Sequence, residues 1–425
     1  MGSKFCELLT MLFTLFSFLV VLGIGHSWAV AALKVQCIDG EQEALLMFKE
    51  GFTSPSSRFF SWVAGEDCCK WSGVGCNNRT GHVITLDLHS FDSSEAMKGQ
   101  LRESLLGLPY LSYLDLSSID FNQMPIPEFI GSLSNLKYLD LSNANFKGIV
   151  PDHLGNLSSL QHLDLSGNSF SLKANNLDWL SGLSSLEVLD LGGVDLAMHF
   201  HSTIPKWLVE SSYTLHHLNL TRCQLQGSIP DAFVNFTSLT VLDFSYNNLQ
   251  GSIPHNFGNM TSLVVLDLTF NSLEGSIPQT LGLIQEQQRI KHSPLRELYL
   301  SYNKLNGSLE RILPQLSELV VLEVASNSFQ GLLPDCWTYG QNRVFLDLGY
   351  NMLSGQIPDS IGHLVQLKVL TLGFWGFWGP LLLNTSWRHA YFRFLGYMID
   401  QIYVWVVVAV ARIQRKFQSS QPQDK

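Results

Sequence analysis

A short leucine pattern recurs along most of this chain and sets the strongest limit on its fold. The pattern is L-x-x-L-x-L followed by x-x-N, and two successive copies read LTVLDFSYN and LVVLDLTFN. Leu242 and Leu266, the second leucines of these copies, are 24 residues apart, and the regular copies run from Leu111 to Asn351. A unit of this length cannot bury its apolar face alone, so the copies must stack on one another.

Leucines alternate with polar residues within each copy, as in a β-strand that buries one face. The repeat therefore predicts an α/β leucine-rich-repeat solenoid, a curved right-handed superhelix of about 10–11 repeats with a parallel concave sheet. The repeats are predicted to span residues 83–372, because incomplete copies flank the regular ones. A G-x-[IVL]-P segment follows most strands, and it predicts a turn at which strand pairing ends.

The asparagine after each strand is predicted to face inward and to bond backbone groups that the turn leaves unpaired. The copies that keep it supply Asn168, Asn247, Asn271, Asn303, Asn327 and Asn351. Cys223 fills the same slot in another copy, four turns before Cys336. At about 4.8 Å per turn these two thiols are too far apart for a disulfide, so both are predicted to be free and buried.

The first residues have the features of a secretory signal, predicted over residues 1–31. Lys4 supplies a positive charge, residues 8–24 are almost wholly apolar, and Ala29-Val30-Ala31 is a small-residue cleavage site. These features predict an extracellular chain that folds in an oxidising compartment.

Four cysteines precede the first turn, in a region predicted to form a cap over residues 32–82. An even cluster in a secreted chain predicts disulfides, here Cys37–Cys68 and Cys69–Cys76. Zinc is the weaker alternative, because the cluster contains no Cys-x-x-Cys pair. The segment EQEALLMFKEGF has apolar residues at helical spacing and predicts a helix over the open end of the solenoid.

Sequons of the form N-x-[ST] predict surface glycans. The predicted attachment sites are Asn78, Asn156, Asn219, Asn235, Asn259 and Asn306. Asn156, Asn235 and Asn259 each stand four residues before the first leucine of a repeat, so they should lie on one edge. The net charge of −10 argues against a nucleic-acid partner.

An uncharged run over residues 369–383 precedes a basic tail over residues 384–425. Positive charge marks the cytoplasmic side, so this order predicts one membrane span with the tail inside. The run of 15 residues covers about 22 Å as a helix, short of the roughly 30 Å hydrocarbon core. Extending it to Leu367 adds Lys368, whose side chain can reach the interface.

Several of these segments together resemble a known family. The start IDGEQEALLMFKEGF, the Cys68-Cys69-x-Trp71 cluster, the LxxLxLxxNxLxGxIP repeats and the tail NTSWRHAYFRF…RIQRKF resemble plant leucine-rich-repeat receptor-like proteins, the group that includes the fungal-xylanase receptors. The resemblance implies a single-pass type I protein of the plasma membrane, with its ectodomain outside. It also implies an extracellular ligand, often microbial, and signalling in plant defence through a co-receptor kinase, since the family has no kinase of its own.

The chain also departs from that family. Its members have many more repeats, a non-repeat island, a second cysteine cap and an acidic segment before the membrane. Here LKVLTL runs directly into GFWGFWG, which resembles only the second half of the family's membrane span. The comparison predicts a receptor-like protein that has lost a long internal segment, and a truncated relic or decoy that does not signal is one alternative.

Two columns of side chains are predicted on the concave face. One is acidic, from Asp115 through Asp243 to Asp347, and a solvated face that resists aggregation is the favoured interpretation. The other precedes the asparagine slot and contains Tyr246, Phe270, Tyr302, Ser326 and Tyr350. Aromatic side chains dominate binding hot spots, so Tyr246, Phe270 and Tyr302, with Val264 and Val265 on the same face, form the predicted ligand-binding patch.

The sequence predicts no enzyme, cofactor or metal site. No Ser/His/Asp or paired-carboxylate motif stands out, and the histidines at positions 199, 201, 216 and 217 lack an ordered ligand spacing. A second alternative is a secreted inhibitor of a cell-wall-degrading enzyme, similar to the polygalacturonase inhibitors, which share the cap and have about ten repeats. The uncharged run and the basic tail argue against that alternative.

Overall fold

The computed structural model describes residues 36–53, 57–89, 97–168, 171–196, 214–286, 289–337 and 342–372. The predicted signal peptide (1–31), the predicted tail (384–425), and residues 373–383 of the predicted membrane segment lie outside these ranges. Within them, no helix has both the length and the apolar character needed to cross a bilayer.

A 13-stranded sheet runs the length of the described chain. Its strands in order are Val74–Cys76, Val83–Asp87, Tyr113–Asp115, Tyr138–Asp140, His162–Asp164, Val188–Asp190, His217–Asn219, Val241–Asp243, Val265–Asp267, Glu297–Tyr299, Val321–Glu323, Phe345–Asp347 and Val369–Thr371. The first two strands pair antiparallel and the next pair runs parallel. Leu242 pairs with Leu218 on one side and Leu266 on the other, so equivalent leucines are aligned. The predicted stacked turns and parallel sheet are confirmed.

The last strand lies where the predicted repeats, residues 83–372, overlap the predicted membrane segment, residues 369–383. Val369–Thr371 pairs in parallel with Phe345–Asp347, with Leu370 opposite Leu346. The first residues of the predicted membrane segment therefore belong to the sheet, because their backbone groups continue its hydrogen-bond ladder.

A second sheet was not predicted, because the G-x-[IVL]-P segment was expected to end strand pairing. Its six strands are Gln226–Ser228, Asn248–Gly251, Ser272–Gly275, Lys304–Ser308, Ser328–Leu332 and Met352–Ser354. Gly307 and Gly331 lie inside their strands with φ values of 90° and 93°, which bend each strand without ending it. Adjacent turns carry the same bend, so their backbones still pair. Smaller pairs are Gly148–Ile149 with Leu172–Lys173, and Leu283–Glu286 with Arg289–His292.

Short 3₁₀ helices form much of the remaining surface of the turns. They are Ser57–Ser61, Cys68–Lys70, Glu103–Gly107, Glu128–Ser132, Asp152–Asn156, Asp178–Gly182, Asp231–Asn235, His255–Asn259, Gln279–Gly282 and Asp359–His363. Several start directly after a proline, as at Pro151 and Pro254, where the fixed φ of proline favours a helical start.

The predicted cap is confirmed. One α-helix, Asp39–Lys49, packs its apolar face inward, with Leu45 and Phe48 fully buried. Glu41 of this helix is also buried; its carboxylate accepts the Val83 N–H at 2.6 Å and lies 2.6 Å from His82 Nδ1. The helix is thereby joined to the first parallel strand. Both predicted disulfides, Cys37–Cys68 and Cys69–Cys76, are present.

The asparagine slot works as predicted and connects consecutive turns. Asn247 Nδ2 donates to Leu220 O of the preceding turn at 2.8 Å, while its Oδ1 accepts from Cys223 N at 3.0 Å and Leu225 N at 2.9 Å. Cys223 is fully buried in the equivalent slot, and its Sγ lies 3.1 Å from Leu191 O, in place of the amide donor. Cys223 and Cys336 are both free, but Cys336 is only half-buried, because its side chain is not in that slot.

This arrangement predicts different outcomes for two cysteine substitutions. Cys69→Ser removes a disulfide of the cap and should sharply lower the secreted yield, because such bonds stabilise small caps by roughly 2–4 kcal/mol. Cys223→Asn should be tolerated, since an asparagine amide can donate to Leu191 O as the other slot residues do. Secreted yield and thermal midpoint measure both effects. Equal losses from the two substitutions would contradict these assignments.

Candidate ligand-binding surface

The residue before the asparagine slot has a positive φ in every regular turn. We call this position the left-handed slot. It is occupied in order by Ser118, Asn143, Gly167, Gly193, Arg222, Tyr246, Phe270, Tyr302, Ser326 and Tyr350. For residues other than glycine this conformation costs roughly 1–2 kcal/mol. Bulky residues are rare there, and an unfavourable backbone held in place by its surroundings points to a function.

Two sets of hydrogen bonds impose this conformation. In most turns the strand ends in an aspartate or asparagine that accepts a backbone N–H two residues on, as Asp243 Oδ1 does from Ser245 N at 2.8 Å. The strands before Tyr302 and Ser326 end instead in Tyr299 and Glu323. The N–H of the left-handed slot then donates to the next turn, as Tyr246 N does to Thr269 O at 2.8 Å. Because these bonds need only a carboxylate or amide and backbone groups, the side chain in the slot is free to vary.

The predicted aromatic residues form one continuous stack. The ring centroids of Tyr246 and Phe270 are 4.3 Å apart with an interplanar angle of 14°. Phe270 and Tyr302 are 4.1 Å apart at 10°. The guanidinium of Arg222, which the sequence did not single out, lies 4.5 Å over the outer face of Tyr246. The stack therefore presents ring edges, two phenol hydroxyls and one cation to solvent.

The predicted valines lie to one side of this stack. Val264 and Val265 are half-buried at the start of their strand. Along the chain, Asp267 and Thr269 stand between Val265 and Phe270, and Asp267 accepts hydrogen bonds from both the N–H and the hydroxyl of Thr269. A carboxylate thus interrupts the apolar surface that the sequence predicted, and the role of the two valines stays a prediction.

An open depression of about 510 Å³ adjoins the arginine end of the stack. Its lining includes Gly167, Gly193, Asn219, Arg222 and Tyr246. The two glycines occupy the left-handed slot, and a Cβ on Gly167 would lie 2.2 Å from Asn143 Oδ1. Small residues therefore create the depression, and Arg222 places a positive charge at its wall.

A second stack lies near the cap and was missed. Tyr113 and Tyr138 stack at 4.1 Å, and Tyr138 and His162 at 4.2 Å. All three occupy the third position of LSYLDL, LKYLDL and LQHLDL, so reading that position down successive copies would have found them. Burial lowers the pKa of His162, which keeps the imidazole neutral near pH 7.

The acidic column differs from the solvated face that was expected. Its carboxylates are largely half-buried and cap the turns, as Asp164 does for Ser166 N at 2.8 Å. Burial, together with the neighbouring carboxylates, raises the pKa of Asp164 to about 6 and that of Asp267 to about 6. Burial also raises the pKa values of Asp140 and Asp190. The column therefore carries less negative charge in mildly acidic solution than its composition indicates.

Ligand atoms of Asp140, His162 and Asp164 lie within 4.8 Å of one another, a distance compatible with a metal ion. Each group already has a structural partner: His162 stacks on Tyr138, and the two carboxylates cap their turns. We assign no metal to them.

Most of the predicted glycan sites lie away from the concave sheet. Asn156, Asn235 and Asn259 each end a 3₁₀ helix, and all three are exposed. Exposed Asn78 and Asn306 lie in the cap and on the second sheet. Asn219 is different, because it lies in the concave sheet and its Nδ2 donates to Asp190 Oδ2 at 2.9 Å. A glycosylated asparagine keeps one N–H on Nδ2, so this bond does not decide whether Asn219 is modified, and the site stays a prediction.

Family models agree with this architecture. The leucine rich repeat N-terminal domain matches residues 38–77. Leucine rich repeat models match residues 126–170 and 214–273, and a further one matches 159–183, 294–316 and 344–364. The chain thus has a leucine-rich-repeat N-terminal domain followed by leucine-rich repeats.

Similar curated proteins include two receptor-like proteins of the plant Solanum lycopersicum. Receptor-like protein EIX1 is 34% identical over 391 residues, covering 87% of this chain and 29% of that protein. Receptor-like protein EIX2 is 45% identical over 122 residues, covering 27% of this chain and 12% of that protein. Polygalacturonase inhibitor 1 of Oryza sativa subsp. japonica is 30% identical over 117 residues, covering 28% of this chain and 34% of that protein. The chain spans less than a third of the two receptor-like proteins.

Similar solved structures include receptor ectodomains. The Arabidopsis receptor kinase HAESA ectodomain in complex with an IDA peptide hormone matches with a TM-score of 0.61 and 27% identity, covering 78% of this chain and 60% of that one. The structure of HAESA in complex with IDA and the co-receptor SERK1 matches with a TM-score of 0.61 and 26% identity, covering 79% of this chain and 61% of that one. A plant ice-binding protein matches with a TM-score of 0.55 and 27% identity, covering 76% of this chain and 90% of that one.

Proposed function

We propose that this chain is a cell-surface receptor-like protein that binds an extracellular peptide or protein ligand in plant defence signalling. The observation that carries the proposal is the stack of Tyr246, Phe270 and Tyr302 in the left-handed slot. These three bulky side chains are about half-exposed. Each is held in a left-handed backbone conformation that is unfavourable for residues other than glycine, whereas glycine would adopt it without strain. Ligand contact gives a reason for that cost.

The positions of the predicted glycans also support ligand binding on the concave face. The concave sheet carries only Asn219 among them, and that amide is already bonded. Large exposed aromatic residues on a face with a single predicted glycan site fit a protein or peptide partner, because such residues supply most of the binding energy at interfaces. Comparing ligand capture by the full chain and by a variant with alanine at the three ring positions tests the proposal.

Dependence on a co-receptor kinase is part of the proposal. The similarity to HAESA, which has been solved with both a peptide hormone and a co-receptor, supports it. The similarity to receptor-like proteins EIX1 and EIX2 supports a cell-surface location.

The location gives a direct prediction. In intact protoplasts, added protease should digest the repeats while an epitope tag placed after Lys425 survives, because the tail is proposed to lie inside a single-pass type I protein. Immunoblots of the protease-treated protoplasts, and of membrane and wall-fluid fractions from intact tissue, measure the location of the tail and of the full-length protein. Recovery of the full-length protein in wall fluid would instead favour a secreted inhibitor, the alternative that similarity to polygalacturonase inhibitor 1 supports.

A further inference from the structure

The column of left-handed slots has a missing ring. Tyr302, Ser326 and Tyr350 follow one another in it, with φ values of 59°, 54° and 52°. Tyr302 N donates to Ala325 O, and Ser326 N to Gly349 O, both at 2.9 Å. The backbone therefore continues through Ser326 with the same geometry that stacks the preceding rings. Only the aromatic side chain is absent.

Exposure of the rings increases along this part of the column. Phe270, which has a ring on each side, is 38% exposed, whereas Tyr302 is 50% and Tyr350 is 75% exposed. Within the described residues, Tyr350 stacks on no other ring. Two tyrosines thus turn uncovered faces towards the space above Ser326.

The space has the width of one flat group. Two turns separate the slots of Tyr302 and Tyr350, which corresponds to about 9.6 Å at about 4.8 Å per strand. A planar group midway would lie about 4.8 Å from each ring, close to the 4.1 Å and 4.3 Å spacings within the stack. Two stacked groups would not fit.

The surroundings favour a cation. Tyrosine faces carry negative quadrupole potential, and the strands that lead into the turns of Ser326 and Tyr350 end in the acidic residues Glu323 and Asp347. The chain's net charge is −10. At the other end of the stack, Arg222 already extends it by placing a guanidinium over Tyr246 at 4.5 Å. A guanidinium is both flat and positively charged, so it fits the narrow space between the two tyrosine rings and also meets the preference for a cation.

We propose that the ligand inserts an arginine side chain between Tyr302 and Tyr350, directly above Ser326. This inference rests on the proposed function, since it names the chemistry of a ligand for the same surface. It identifies the ligand as a peptide or protein segment with an accessible arginine.

Substitution at the slot tests the inference. Ser326→Tyr fills the gap with the protein's own ring, and the backbone there matches that of Tyr302 and Tyr350. Ser118→Tyr is the matched control, because Ser118 has the same slot and a φ of 60° in the first regular turn. Tyr350→Ala is a second variant that removes one face without adding bulk.

The probe is a random peptide library displayed on phage and selected on the full chain. We expect selected peptides to share an arginine, and Ser326→Tyr to weaken the best of them by about 30-fold, as expected for one hot-spot residue. Ser118→Tyr should bind it normally. Tyr350→Ala, and replacement of the peptide arginine by lysine or citrulline, should each weaken it.

Two outcomes would overturn the inference: peptides that bind Ser326→Tyr as tightly as the natural chain, or selection of no peptide that distinguishes them. If alanine at the three stacked rings abolishes binding while Ser326→Tyr does not, the proposed function stands and only the arginine site is lost.

Discussion

Alanine at Tyr246, Phe270 and Tyr302 together is expected to weaken ligand binding by roughly 10⁴-fold. The three rings form one stack, and hot-spot residues contribute about 2 kcal/mol each. Folding should persist, since none of the three contributes to the leucine core or to the asparagine slot. Calorimetric or surface-based binding assays measure the affinity, and the thermal midpoint reports on the fold.

Two comparisons make this result specific. Glycine at the same three positions should abolish binding equally, and it should relieve backbone strain as Gly167 and Gly193 do in their own slots. Tyr110→Ala, which removes a half-exposed ring that contacts His82 near the cap, should leave binding unchanged. A well-folded alanine variant with normal affinity would place the binding site elsewhere.

Substituting the acidic column is expected to change stability in a pH-dependent way. The pKa of Asp164 and that of Asp267 are about 6 in the folded chain, above the usual 3.8, so the folded state binds these protons more tightly than the unfolded state does. Stability should therefore fall as pH rises from about 4 through 6. Asp164→Asn creates an Asn-Leu-Ser sequon, so the test uses protein made without N-glycosylation. The substitution should raise the thermal midpoint at pH 7 by several degrees, since such a shift costs at most about 3 kcal/mol, and should have little effect at pH 4.

Asparagine suits this test because the chain already uses it there. Asn219 occupies the equivalent position and caps its turn by accepting from Thr221 N at 2.9 Å. The reverse substitution, Asn219→Asp, should lower the midpoint at pH 7, because Asp190 lies beside it and would lose the Asn219 amide donor. Parallel pH profiles for the natural chain and both variants would rule out this account of the column.

Periodicity made most of the architecture predictable. Each leucine of the pattern is buried because neighbouring turns carry one at the same place, so a one-dimensional repeat is enough to locate strands and core. The cap bridges followed from cysteine number and compartment. Tyr246, Phe270 and Tyr302 were predictable for the same reason, since equivalent positions on adjacent strands must lie side by side.

Features that depend on contacts between turns were not predictable in this way. The positive φ of the left-handed slot comes from hydrogen bonds to the next turn, and the raised pKa values come from burial that stacking creates. Arg222 was overlooked because its role depends on its neighbour Tyr246. Arg343 stands at the first leucine position of its copy, three residues before Leu346. That position alone does not predict its stacking on Trp337 at 5.1 Å or the hydrogen bond that it donates to Leu316 O.

The left-handed slot also bears on how this surface can evolve. Its backbone is fixed by bonds that no slot side chain takes part in, and the chain already has serine, asparagine, glycine, arginine, tyrosine and phenylalanine there. Point mutations at these positions can therefore replace one recognition group by another while the core and the hydrogen bonds between turns are kept. A lineage exposed to changing ligands could alter its specificity one turn at a time, with each intermediate still folded.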